Sequence, residues 1–149
     1  MNALTTSDVD HSFAAFLPRD MREETGELNW TTLQQRFCAA TGPIRLGSWK
    51  SSSARGGRTT FDATFGLGDS IHAASATTYG PIDALTSMLY DAGFHIEIVS
   101  FHQQPLDERT VTFVLTEFDG RRQWSMAVDS DCHASSIRAV IGAANMLHS

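Results

Sequence analysis

Two amphipathic helical stripes lie about 55 residues apart in the chain, and each follows a stretch of strand-like alternation. The first stripe is Ile82, Leu85, Leu89 and Ala92, opened by Gly80-Pro81 and closed by Gly93. The second is Ile137, Val140, Ile141 and Ala144, starting between Ser130 and Ser135. Ahead of the first, Phe61, Ala63, Phe65 and Leu67 alternate with Thr60, Asp62, Thr64 and Gly66, which puts the apolar groups on one face of a strand. Val111, Phe113 and Leu115 do the same ahead of the second, as do Trp124, Met126 and Val128. Residues 44–52 and 96–103 supply partner strands, with turns predicted at 53–57, 66–69, 104–108 and 119–120 and six strands in all. A repeated βββα unit has one greasy sheet face and a single helix to cover it. Two such units must therefore pack together, and a homodimer buries more. The predicted fold class is α+β, duplicated βββα units over 43–149, preceded by two short helices.

Residues 1–42 follow a different pattern, that of a tail with linker-like helices. The first 17 are polar and aperiodic apart from Phe13, Phe16 and Leu17, and predict a mobile tail anchored by those three. A short helix begins at Pro18. A second runs from Asn29, its cap, to about Ala40; it carries Trp30, Leu33 and Phe37 on one stripe, and Gly42 is placed to end it. With 149 residues, 42% of them hydrophobic, the chain has the size of one ordinary domain and can build a core. Its apolar runs are too short for a membrane span, and the N-terminus shows no basic segment leading into an apolar one, which places the chain in the cytoplasm. A net charge of −6 argues against nucleic acid, whose phosphates need clustered Lys and Arg. Cys38 and Cys132 lack any paired spacing and fit reduced, separately buried thiols.

The segments Gly80-Pro-Ile-Asp-Ala84, Ile96-Glu-Ile-Val-Ser-Phe-His102, Trp124-Ser-Met-Ala-Val-Asp129 and Ala134-Ser-Ser-Ile-Arg-Ala-Val140 with Ala143-Ala-Asn145 resemble, in order and spacing, the C-terminal regulatory or dimerisation domain of 2-isopropylmalate synthase. The resemblance implies a duplicated βββα fold, a dimer, and leucine held between the two units as feedback inhibitor. Residues 16–37 look like the helices that link the synthase barrel to that domain. The barrel, with its metal-binding histidines, has no counterpart in this sequence, so the chain is not predicted to catalyse the synthase condensation by itself. Two loops depart from the family. A glycine-rich Gly-x-Gly-Asn-Gly-Pro loop is here Ala76-Thr-Thr-Tyr-Gly-Pro81, and a Trp-Gly-Val-Gly strand is Trp124-Ser-Met-Ala127. Side chains thus fill positions where glycine lets backbone approach a ligand.

The densest polar cluster, Asp129-Ser-Asp-Cys-His-Ala-Ser135, stands at the mouth of the second helix. Capping by Ser130 or Asp131 competes there with a catalytic role for Asp129. Ligands so close in sequence surround one ion poorly, so no metal is predicted. Cys132 beside His133 suggests a nucleophile and base, but adjacent side chains diverge, and a buried structural cysteine is the simpler reading. A pocket follows from the resemblance, with Tyr79, His102 and Asp129 as its working polar groups and Phe101, Phe113, Trp124, Met126, Gly80 and His133 lining it. Its walls would be Tyr79, Phe101, Trp124 and Met126. The function favoured on these residues is a stand-alone domain that folds a hydrophobic biosynthetic intermediate for cyclisation or isomerisation by pre-orienting its reacting ends, with no cofactor. The alternative is a leucine-binding regulatory or dimerisation module acting in trans on a synthase of the 2-isopropylmalate type.

Overall fold

The alternation becomes two separate three-stranded antiparallel sheets, each followed by a helix. The structure is a computed structural model and describes residues 17–25, 29–38 and 41–148. Phe13 and Phe16 lie outside the described residues. Helices α1 (Arg19–Thr25) and α2 (Trp30–Phe37) come first. The first unit is β1 (Ile44–Ser53), β2 (Thr59–Leu67), β3 (Ser70–Thr78) and α3 (Pro81–Asp91). The second is β4 (Glu97–Leu106), β5 (Arg109–Phe118), β6 (Arg121–Asp129) and α4 (Cys132–His148). Strand order follows chain order in both sheets, and the first strand of each carries a register shift, between Leu46 and Trp49 in β1 and between Ile98 and Ser100 in β4. The duplication therefore extends to a matching irregularity.

The local reasons are legible. Asn29 accepts a hydrogen bond from the Thr32 N–H at 2.8 Å and starts α2. Asp119 and Gly120 both have positive φ, 52° and 77°, which matches the twist of the tight β5–β6 hairpin. Two expectations shift, and the sixth strand, counted but given no range, is found. Helix α2 stops at Phe37 and not near Ala40, because Cys38 already has extended backbone. The turn predicted from residue 104 begins later, since β4 continues through Pro105 and Leu106. The third strand of the first unit, β3, has the sequence SIHAASATT, in which no apolar alternation marks a strand.

The layering departs from the simplest duplicated unit. Phe61, Ala63 and Phe65 of the first sheet pack with Leu85, Met88 and Leu89 of α3 and with Ile137, Val140, Ile141 and Ala144 of α4. Val114 and Ala127 of the second sheet join the same core, so both helices fill the space between the sheets. The greasier face of the second sheet points the other way. Val111, Phe113, Leu115, Trp124 and Met126 pack against Leu17, Met21, Trp30, Leu33 and Phe37. The expectation that each greasy face is covered by its own unit's helix holds for the first unit and fails for the second, where α1 and α2 do the covering. Residues 111–116 are accordingly buried without interruption. The outer face of the first sheet, with Lys50, Asp62 and Ser75, is exposed. No helix among the described residues is long and apolar enough to cross a membrane.

Candidate ligand site at the helix starts

Helix α4 is buried nearly all round, from Ser135 to Leu147, with Arg138 among its few exposed residues. Such a helix needs its buried polar groups satisfied against the sheet, and Ser135 and Ser136 of the helix meet Thr112 and Gln103 of the sheet there. The two N–H groups of the Gln103 amide are shared among Thr112 Oγ1 (3.0 Å), Ser136 Oγ (2.7 Å) and the Cys132 carbonyl (3.0 Å), which also accepts from Ser136 Oγ at 2.9 Å. The Thr112 and Ser135 hydroxyls are 2.7 Å apart, and Ser135 Oγ donates to the Ala127 or Thr110 carbonyl at 3.0 or 3.1 Å. A hydroxyl has one proton, so with Ser135 donating to a carbonyl, Thr112 must donate to Ser135. The chain Gln103 to Thr112 to Ser135 to carbonyl then runs in one direction and fixes the start of α4 on the sheet.

At the mouth of α4, Asp131 Oδ1 and Oδ2 accept from the His133 and Ala134 N–H groups at 3.4 and 3.3 Å. Of the two caps considered, Asp131 is the one used. Asp129 Oδ1 accepts from the Asp131 N–H at 3.1 Å, and Oδ2 pairs with Arg138 at 3.1 Å. The Asp131 N–H does most to hold the Asp129 carboxyl below the usual carboxylate range; partial burial opposes it and the Arg138 guanidinium assists. Both carboxylates are thus spent on organising the turn. In the first unit, Gly80 precedes α3 with Pro81 in the first turn, and the Thr78 hydroxyl donates to the Gly80 carbonyl at 2.7 Å.

The predicted pocket residues fall in four places. Gly80, Asp129 and His133 stand at the helix starts. Phe113, Trp124 and Met126 are fully buried in the core beneath α1 and α2, and His102 lies on that side too, its ring 6.3 Å from that of Trp124. Phe101 is opposite Val114, the neighbour of Phe113, and so projects from the other face of the sheet. Tyr79 is 76% exposed. The four proposed walls therefore do not line one cavity: Tyr79 is open to solvent, and the sheet separates Phe101 from Trp124 and Met126. Met126 lines a smaller cavity of about 280 Å³ on the α2 side, with Cys38 and Arg138. Cys132, expected to be buried, is exposed, because it is the first residue of α4 and precedes the buried run. Burial, partly offset by Arg138, raises the Cys38 thiol. Sequence reasoning missed Gln103 and Arg138. Arg138 had a visible signal, a lone charge inside an apolar helix.

Two sheets with a helix pair between them, each unit strand-strand-strand-helix, define a duplicated βββα architecture. The chain belongs to the family described as the LeuA allosteric (dimerisation) domain, whose model matches residues 22–148. Among its relatives are the 2-isopropylmalate synthases of Clavibacter sepedonicus (27% identical, covering 83% of this chain and 23% of that protein), Thermobifida fusca (25%, 83% and 22%) and Mycobacterium ulcerans (23%, 82% and 23%). The chain spans less than a quarter of the length of these relatives.

Proposed function

We propose that the chain is a regulatory and dimerisation module that binds leucine and acts on a synthase of the 2-isopropylmalate type in trans. The observation that carries this reading is the family match, which runs from within α1 through α2 and both βββα units. The fold is compatible with it, since the start of α4 is set by the Asp131 cap and by the Gln103 network before any ligand arrives. The cyclisation reading has no comparable support, and its proposed walls are divided between two faces of a sheet and solvent. Light scattering at micromolar concentration tests the dimer and should return about twice 16.3 kDa. Isothermal titration with leucine, followed by assay of a synthase barrel with and without this chain, tests the rest. A monomer that neither takes up leucine nor alters the barrel's response to it would overturn the proposal.

A further inference from the structure

Each three-stranded sheet has two edge strands, and an edge strand presents a row of N–H and C=O groups that a further strand can take up. Three of the four edges carry something that interrupts such a row. Strand β1 has its register shift between Leu46 and Trp49, the charges of Arg45 and Lys50, and α4 packed against it. Strand β4 has its own register shift between Ile98 and Ser100, and Pro105 lacks the N–H that a ladder needs. Strand β6 has α2 packed against it, and the Arg138 guanidinium bonds its Val128 carbonyl.

Strand β3 has none of these devices. It runs opposite β2 without a break, from Ser70 facing Leu67 to Thr78 facing Thr59. Its sequence, SIHAASATT, holds no proline, lysine, arginine or carboxylate. Helix α3 does not hide it either. On the face shared with Phe61 and Phe65, His72 is exposed and Ala74 and Ala76 are only half-buried; on the other face Ile71 is 82% exposed. A long, regular, uncharged edge recruits a second strand.

We infer that β3 pairs antiparallel with β3 of a second copy and joins the two first sheets into one sheet of six strands. The matched family is described as a dimerisation domain, which names the occupant. Identical antiparallel strands in one sheet are related by a twofold axis through it, so the edge is complementary to itself. Among the described residues β3 is the one uninterrupted edge, so pairing closes at two chains and does not run on into a fibre. The inference rests on the dimer proposed above and adds where it forms.

Disulfide mapping tests it. In a background of Cys38→Ala and Cys132→Ser, residues 71 to 77 are replaced by cysteine one at a time and oxidised mildly. Cross-linking should concentrate at one position, the residue on the twofold. Paired strands lie about 4.8 Å apart, which a disulfide spans, whereas Thr64→Cys on β2 would sit about 14 Å from its copy and should stay unlinked. Ala73→Lys with Ser75→Lys, both at exposed positions, should weaken the dimer at least about tenfold in sedimentation equilibrium and leave the far-ultraviolet circular dichroism unchanged. A parent chain that stays monomeric would overturn the dimer and this interface with it. A parent dimer that tolerates both lysines and cross-links at no position of β3, or equally well at Thr64→Cys, would leave the dimer standing and overturn the interface.

Discussion

Ser135 sits fully buried at the end of the directed hydrogen-bond chain, and its hydroxyl is the acceptor that Thr112 needs. Ser135→Ala should therefore cost about 1–3 kcal/mol, since it strands a buried donor as well as removing a bond. A lowered urea midpoint with an unchanged slope would show this; no shift would mean that Thr112 has another acceptor. The two thiols should also separate. Burial raises Cys38 and leaves Cys132 exposed at the head of α4, so iodoacetamide at pH 8 should alkylate Cys132 at least about tenfold faster. Peptide mapping of a time course would give the order. Asp129 predicts a pH effect whose sign follows from its lowered pKa. A carboxyl held lower in the folded state than in the unfolded chain stabilises the fold above the unfolded value, about 3.9, and that contribution is lost as pH falls through the lower folded value. Asp129→Asn should lose less stability than the parent between pH 5 and acid, by under about 1 kcal/mol for a pair so open to solvent. Equal acid sensitivity in thermal melts would count against the Asp131 and Arg138 contacts.

At the scale of elements, the capping chemistry was readable in advance and the packing partners were not. Asn29 and Asp131 were each marked by residue type and position ahead of an apolar stripe, and both cap in the structure. Asn29→Ala should cost about 1 kcal/mol, measurable as a lower melting temperature, because α2 is only eight residues long and must hold its angle against the second sheet. Strand β3 stayed unassigned because small residues serve a strand that packs one helix on one side and meets water at its edge. Ala74 and Ala76 touch the core, whereas Ile71 is 82% exposed, so no period-2 signal survives.

For the whole molecule, the N-terminal helices decide which face of the second sheet can stay dry. Among the described residues, Phe113, Leu115, Trp124 and Met126 are covered by Leu17, Met21, Trp30, Leu33 and Phe37. Truncation before Gly42 should expose that face and produce a species that binds hydrophobic dyes and aggregates. Trp124→Ala in the full chain should cost about 3–5 kcal/mol through the cavity it leaves. Both are checked by chemical denaturation and size-exclusion chromatography, and a well-behaved truncated monomer would remove α1 and α2 from the core.

The sequence by itself determined the count and order of the units, the ends of most strands and the apolar stripes, because period and turn chemistry are local properties carried by neighbouring residues. It also marked the residue types at the helix starts, Gly80, Asp129 and Asp131. Only the tertiary structure decided which alternating face met which helix. Phe101 and Trp124 belong to strands that both read as half-buried, and nothing local says that the sheet between them will be covered on both sides, by α4 on one and by α1 and α2 on the other.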